Sequence, residues 1–429
     1  MKKFFIKTHG CKANQLESSI IREKLLNADY VEATDSADTD IFILNSCSVT
    51  ETADIEALRT LRNIKHKNPD VLTIFTGCSA QLNYQKTNQN KYIDITLGNN
   101  DKFNIVDAIN TQKSKVDDVF SIKEFNNQFI HNYSKTRGYL KIQDGCNNYC
   151  SYCTIPFARG ESRSNSVDNI IEQIKIYTNS GIKELVLTGI HIGQWGEDFV
   201  PARNLINLLE EIEKTEIARY RLGSLNPLEI DQNLLEFLAN SQKFCPHFHL
   251  SLQSLNDKTL FAMNRKYKAE YCLELIEKID SIFNLPFIGS DIIVGFPDEN
   301  EKDFCTTFEN AKKSKLSAIH VFPYSIRKNT KAAAMKNQVS EQTKKHRAEL
   351  FHALAKEKIN AFVNKNIGTQ NQILIEKKPD RKTGFLKGVT PNYLTILTNS
   401  KDISLCNTLQ NVKITDTSAN GTIINGVIY

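Results

Sequence analysis

The sequence predicts an α/β protein in three parts: a parallel αβα sheet domain, a partial (βα)6 barrel and a small all-β barrel. Three observations predict it. Short β-branched runs alternate with helically spaced segments over most of the chain, the pattern of parallel sheets. That alternation is interrupted once, by a polar stretch over residues 111–138. Residues 368–429 then carry strand and turn signals with little helical periodicity. The chain has 429 residues, more than one compact domain holds, with 40% hydrophobic and 24% charged residues, the balance of a folded protein.

The first domain, residues 1–115, contains three apolar runs with the length of buried strands: Phe4–Thr8, Asp40–Asn45 and Val71–Gly77. Helical spacing over Asn14–Leu26 and Thr50–Lys67 separates them. Each run leads into a cysteine, in THGC (Cys11), NSC (Cys47) and TGC (Cys78). Ligands of open αβ sheets gather beyond the carboxyl ends of the strands, so these three cysteines are expected on one edge of the fold. A single cysteine after a strand is ordinarily a packing residue. Three in the same register point to a site.

Residues 111–138 read as a linker plus a docking segment. The second domain, residues 132–365, resumes the alternation with six candidate strands: YLKIQ, ELVLTG, YRLGS, HFHLSLQ, SDIIVGF and AIHVFPY. Amphipathic stretches such as Ser166–Thr178 and Ala269–Phe283 lie between them. Polar residues and turns fall where these strands end, at Cys146, His191, Asn226, Gln253 and Gly295-Phe296-Pro297. In a βα barrel that edge is where chemistry happens. Six units rather than eight imply an open barrel whose gap admits a large substrate. In the third domain, 368–429, QILIEKK, GFLKGVT, YLTILTN and NVKITDT are strands broken by turn residues. Such a barrel either binds nucleic acid or caps the core.

The net charge of +5 is concentrated. Residues 326–365 hold ten Lys/Arg against three Glu, a net +7, which leaves −2 for the rest of the chain. With Lys377, Lys378, Arg381, Lys382 and Lys387 this fits an RNA partner, because phosphate neutralisation dominates such affinity. A charge run is also an ordinary solvated helix face. The basic start MKKFFIK lacks the apolar run of a secretory signal, and no stretch approaches a membrane span, so a cytoplasmic protein is expected. Thiols stay reduced there, and ten cysteines then point to metal or catalysis rather than disulfides.

The segment DGCNNYCSYC places Cys146, Cys150 and Cys153 at C-x3-C-x2-C spacing. Three core residues that happen to cluster are one reading. Structural zinc needs four ligands, and no partner CxxC or HxxxH completes this set. Iron–sulfur clusters are the natural ligand of a compact run of thiolates, and three cysteines leave one iron of a [4Fe–4S] cube free for a substrate or cofactor. With Tyr152 before the third cysteine, the segment resembles the radical S-adenosylmethionine (SAM) superfamily, in which that iron chelates SAM. HGCKANQ, NSCSVT and TGCSAQ, followed by GCNNYCSYCTIPFARGESRS at 145–164, resemble the methylthiotransferases along essentially the whole chain.

The resemblance implies a second [4Fe–4S] cluster on Cys11, Cys47 and Cys78, and a terminal barrel of the TRAM type. CNNYCSYCTIPFARG and VLTGIHIGQWGED are most similar to the branch acting on threonylcarbamoyl-adenosine in tRNA. The family's other branches act on isopentenyl-adenosine or on an aspartate of a ribosomal protein. Implied partners are the anticodon loop of ANN-decoding tRNAs and an electron donor such as flavodoxin or ferredoxin. Two SAM are implied, one as methyl donor and one as source of the radical that takes the C2 hydrogen of adenine.

By the same resemblance, Thr188, Gly189 and His191 lie near the methionine amino group of SAM, Ser224 and Asn226 near the ribose, with Gln253 on the next strand. Arg265 is a partner for a carboxylate or an RNA phosphate. Asp291 and Gly295-Phe296-Pro297 flank the adenine. Each of these is equally compatible with a structural hydrogen bond. Asn226 stands where relatives often carry Glu, and Asp298 where Gly is usual. Cys245, Cys272, Cys305 and Cys406 read as small buried residues. Outside this chemistry, an RNA-binding iron–sulfur redox sensor without turnover and a zinc-stabilised RNA binder are the rival readings.

Overall fold

The computed structural model describes residues 1–418 and 424–429. The strands β1 (Lys3–Thr8), β2 (Val31–Glu32), β3 (Ile41–Ser46), β4 (Leu72–Gly77) and β5 (Ile95–Leu97) form a parallel sheet in the order β2-β1-β3-β4-β5. The two edge strands are too short to show periodicity in the sequence. Alternate residues of a strand face opposite sides, and the sheet uses both. Ile41 and Ile43 pack with Phe4, Ile21 and Leu25 on one face, and Phe42 and Leu44 with Ala57 and Leu61 on the other. The helices Lys12–Asn27 and Glu51–Lys67 supply those partners. The second begins where Thr50 accepts the Ala53 N–H, satisfying one donor that every helix start leaves open. The polar connection that follows docks through buried Val119, Ile130 and Tyr133.

The central domain contains β6 (Gly138–Lys141), β7 (Gln143–Asp144), β8 (Arg163–Ser164), β9 (Glu184–Thr188), β10 (Arg219–Leu222), β11 (Ser224–Leu225), β12 (His247–Gln253), β13 (Phe287–Val294) and β14 (Ala318–Pro323). Parallel pairing runs β6-β9-β10 and then β11-β12-β13-β14, with a break at Gly223 between β10 and β11. This is an open barrel. The expected strand YLKIQ is divided, because Gln143 turns away to pair with Ser164 in the β7–β8 ribbon. Leu185, Leu187, Tyr220, Leu222, Phe248, Leu250 and Leu252 point outward into the largest core, against helix residues such as Ile170, Leu208 and Leu234. Each such buried aliphatic contributes roughly 1.5–3 kcal/mol. The alternate positions His249, Ser251 and Gln253 face the lumen and remain half-buried.

The helix Glu341–Asn366 leads to a closed barrel of β15 (Gln370–Ile375), β16 (Lys387–Val389), β17 (Thr395–Thr398), β18 (Leu409–Thr417) and β19 (Ile424–Ile428). The last strand was not expected from the sequence. GFLKGVT becomes a strand only from Lys387, because Asp380 ties the preceding residues into a turn through the Lys382 and Thr383 N–H groups.

This barrel stoppers the amino-terminal mouth of the larger one. Glu184 pairs with Arg219 and Arg221, each at 2.7 Å. Arg219 then donates to the carbonyls of Gln372 (3.0 Å) and Val389 (2.9 Å), and Arg221 to that of Thr390 (2.6 Å) and to Pro391. The His247 ring lies 4.1 Å from that of Tyr393, centroid to centroid.

Two expectations need correction. Cys245 and Cys272 are buried and Cys406 half-buried, but Cys305 is exposed on the outer side of the helix Glu301–Lys313. The basic run 326–365 is partly structural. Arg327 binds Asp54, Arg347 binds Glu299 and Glu301, Lys344 is buried beside Glu341, and Lys358 donates to the Lys312 and Ser314 carbonyls. Among the described residues, no helix is long and apolar enough to cross a membrane.

Candidate active site

β1, β3 and β4 deliver Cys11, Cys47 and Cys78 to one edge of the first sheet. Gly10 makes the approach possible. Its φ is +118°, and a Cβ there would lie 2.7 Å from Cys47 Cβ and 3.3 Å from its Sγ. Cys11 is exposed, yet enough protein surrounds its thiol that desolvation is the main influence raising its pKa. Cys47 is pushed up to about 12 by burial and by its neighbours Cys78 and Cys11. Without a metal Cys11 and Cys47 hold their protons, and a metal would have to displace them. Asn99 spans the two domains, its amide 3.7 Å from Cys78 Sγ and 2.7 Å from the Ala158 carbonyl.

The second triplet lies on the loop joining β7 and β8. Gly145 starts it with φ +73°, and a Cβ there would fall 1.8 Å from the Glu161 carbonyl oxygen. The Cys146 N–H donates to the Gly160 carbonyl (3.1 Å), the Cys153 N–H to Cys150 (3.0 Å) and the Ser151 N–H to Met263 (3.1 Å). Arg265 Nη1 is 3.4 Å from Cys150 Sγ, while its Nε donates to the Tyr267 hydroxyl at 2.6 Å. Burial and the neighbouring Cys150 push Cys153 up to about 12. His191 stands beside Cys146, with its ring held by Gln194 (2.6 Å) and Glu229. Burial works against its charge, but Cys146 and Glu229 hold its pKa up to about 10.

The remaining expected residues divide into three groups. Tyr152 meets the fully buried Phe296 edge-on at 6.4 Å, and Phe296 in turn packs on Tyr324. The adjoining turn is fixed by the Gly295 N–H donating to Glu299 (2.5 Å), with Pro297 following. Thr188 ends β9, Gly189 passes close to the Gln143 carbonyl, and Gln253 ends β12 with φ +67°. Asn226 caps the turn after β11, accepting the Leu228 N–H while its own N–H donates to Glu229. Asp298, at the position where Gly is usual, has φ +64°, a left-handed conformation that Asp tolerates better than most side chains.

Ser224 and Asp291 belong to a polar string the sequence did not reveal. Ser224 Oγ is 2.8 Å from His249 Nδ1, and Asp291 Oδ1 is 3.3 Å from both His249 and His320. Burial would raise the Asp291 carboxyl, but the two imidazoles hold it down to about 2. Glu229 was missed as well. Its signal was the spacing N-P-L-E, a capping box in which Glu229 closes on Asn226. For the histidines the signal was period-two placement within HFHLSLQ and AIHVFPY.

A buried charge network joins the two domains between the triplets. Glu17 accepts from Arg159 (2.8 Å), Lys102 (2.6 Å) and Lys141 (3.2 Å), and Arg159 also reaches Asn14 (2.8 Å) and Asp144 (3.1 Å).

The donor sets fit cubes better than single ions. Among the described residues, only His249, Asp291 and His320 bring all their ligand atoms within 4.8 Å of one another. Neither cysteine triplet does, so each is spread more widely than one tetrahedral ion requires. Three spaced thiolates per site suit a [4Fe–4S] cluster with one iron left open.

The open βα barrel with three cysteines on its first loop defines a radical SAM enzyme, and residues 140–311 match the Radical SAM superfamily. Residues 3–98 match Uncharacterized protein family UPF0004. The chain is 35% identical, over 92% of its own length and 96% of the relative's, to "Threonylcarbamoyladenosine tRNA methylthiotransferase MtaB" of Aquifex aeolicus. It is 32% identical, over 90% and 89%, to "tRNA-2-methylthio-N(6)-dimethylallyladenosine synthase" of Clostridium botulinum. The fold is similar to that of the radical SAM methyltransferase TsrM from Kitasatospora setae, at a TM-score of 0.57 and 12% identity, covering 78% of this chain and 77% of that one. This chain belongs to the radical SAM methylthiotransferase family.

Proposed function

We propose that this enzyme adds a methylthio group to C2 of N6-threonylcarbamoyladenosine beside the anticodon of tRNA. The observation that carries the reading is the pair of cysteine triplets, each one ligand short of a closed site, with residues adjoining each in contact across the first two domains, Thr154 with the Ser48 carbonyl and Asn99 with Cys78 and Ala158. Cys146, Cys150 and Cys153 would hold one [4Fe–4S] cluster with SAM, and Cys11, Cys47 and Cys78 a second. When bound, these groups supply the sulfur and a carbon radical able to take hydrogen from an unactivated ring C–H.

The chain's own residues do the rest. Arg265 places positive charge against Cys150, which favours the reduced, more negative state of whatever that thiolate binds. Tyr152 and Phe296 wall the loop with apolar surface that excludes water. Units 1–115, 132–365 and 368–429 would divide the work as auxiliary site, radical site and RNA grip. A groove of about 700 Å³ between the docking segment and the terminal barrel is lined by Lys135, Arg137, Lys377, Lys378, Arg381, Lys382 and Lys387 against Glu376 and Asp380. It is a track for the RNA backbone. An electron donor of the flavodoxin or ferredoxin kind and a cytoplasmic location complete the proposal.

The substrate branch rests on the names of relatives such as those of Aquifex aeolicus and Bacillus subtilis. The dimethylallyl-adenosine relatives, 32% identical, make that nucleoside the second reading. Mass spectrometry of tRNA nucleosides from a deletion strain and its complemented parent decides between them. Loss of the methylthio group from threonylcarbamoyladenosine alone is expected. Loss from the isopentenyl nucleoside, or from neither, overturns the proposal.

A further inference from the structure

Lys12 follows Cys11 at the start of the helix Lys12–Asn27, and its side chain is half-buried between all three domains. Its ammonium lies 6.0 Å from the ring centroid of Tyr393, which the terminal barrel carries into the lumen. The guanidinium groups of Arg137 and Arg221 stand 5.8 and 5.2 Å from the same ring. These cations are not equally occupied. Arg221 is satisfied by Glu184 and the Thr390 carbonyl, whereas the one ion pair of Arg137 among the described residues, with Glu376, is long at 3.6 Å. The Lys12 ammonium makes no hydrogen bond or ion pair to any described residue. The nearby lumen carboxylates are already engaged, Glu184 by two arginines and Asp291 by two histidines.

An unpaired ammonium removed from water is costly unless an anion arrives to meet it. Lysine phosphate contacts belong on the outer groove, where the backbone can run. On the reading proposed above, the modified base would enter the lumen beside Cys11, where the Lys12 ammonium lies. On that reading the base carries one anionic group, the carboxylate of its amino-acid substituent. An isopentenyl substituent carries none.

We propose that Lys12, with the Tyr393 hydroxyl and Arg137 beside it, forms a carboxylate subsite that selects adenosine bearing an amino-acid substituent. The subsite rests on the threonylcarbamoyl reading, and the test separates the two. Anticodon stem-loops carrying threonylcarbamoyl-adenosine, isopentenyl-adenosine or plain adenosine are titrated against the cluster-loaded enzyme at one salt concentration. SAM binding and iron content are measured alongside. A charge-assisted contact in a desolvated site predicts about ten- to a hundred-fold tighter binding of the threonylcarbamoyl loop by the unaltered enzyme. Lys12→Met removes most of that preference with iron content and SAM affinity retained, and Lys12→Arg restores part of it. Tyr393→Phe, distant in sequence from both cysteine triplets, weakens the preference without altering the residue next to Cys11. A preference that survives both Lys12→Met and Tyr393→Phe overturns the subsite alone. So does a loss that falls equally on all three loops or on SAM. No preference in the unaltered enzyme overturns the substrate reading together with the subsite.

Discussion

Replacing Glu17 by Gln tests whether the charge network, rather than apolar contact, fastens the first domain to the barrel. The Glu17 side chain is 1% exposed and serves Arg159, Lys102 and Lys141, of which Lys102 is completely buried. Gln keeps the shape and removes the charge, leaving three cations with Asp144, Asn14 and Asn99 as their remaining acceptors. Breaking a buried pair from one side costs about 3–5 kcal/mol, mostly from the stranded partner. Because three domains make a single unfolding midpoint ambiguous, native-state hydrogen exchange in the helix Lys12–Asn27 and β1 is the suitable assay. Exchange there should accelerate by about two to four powers of ten. The double variant with Lys102→Met should recover part of the loss, since one stranded charge is gone.

The same experiment has a pH arm. Burial alone would raise the Glu17 carboxyl, but Arg159, Lys102 and Lys141 hold it well below the ordinary 4.5. A depressed carboxyl contributes stability that is complete above its unfolded value and drains away as pH falls toward the folded one. The unaltered protein should therefore loosen in this helix below about pH 4.5, and Glu17→Gln should lack that limb. Exchange within about threefold of the parent, with an unchanged acid limb, would refute the reasoning.

Gly145→Ala forces a Cβ to within 1.8 Å of the Glu161 carbonyl at φ +73°, so iron loading of the 146–153 loop should fail while the circular dichroism of the fold persists. Arg265→Met removes the donor 3.4 Å from Cys150 Sγ, and a spectroelectrochemical titration should find the midpoint potential of the loaded site more negative. The triple change Lys378→Ala, Arg381→Ala, Lys382→Ala should weaken stem-loop binding and lower the slope of log affinity against log salt by about 2–3, at roughly 0.7–0.9 per phosphate contact. Lys358→Met, whose ammonium is occupied by two carbonyls, should leave that slope unchanged.

What the sequence revealed and what it hid follow from the range of the interactions. Strand ends and cysteine spacing are local, so the convergence of Cys11, Cys47 and Cys78 and the lumen-edge placement of Cys146 and His191 were legible as expectations of position. Glu17 with Arg159, separated by 142 residues, leaves no local trace, and neither does Arg219 reaching Gln372 across 153. Charge counts misled for the opposite reason. A run of lysines and arginines looks the same in sequence whether it faces water or, like Arg347 and Lys344, is spent on holding a helix.

The way the terminal barrel is seated has a consequence for truncation experiments. Removing residues 368–429 does not simply subtract an RNA handle. It strips the carbonyl acceptors from Arg219 and Arg221 and uncovers the ends of the strands that carry them. A shortened chain that loses activity would therefore be uninformative about where RNA is gripped. On the proposed reading, the same seating would set the reach from a nucleotide in the basic groove to the reacting centre, because the groove is shared by the docking segment and a barrel fastened to the larger one.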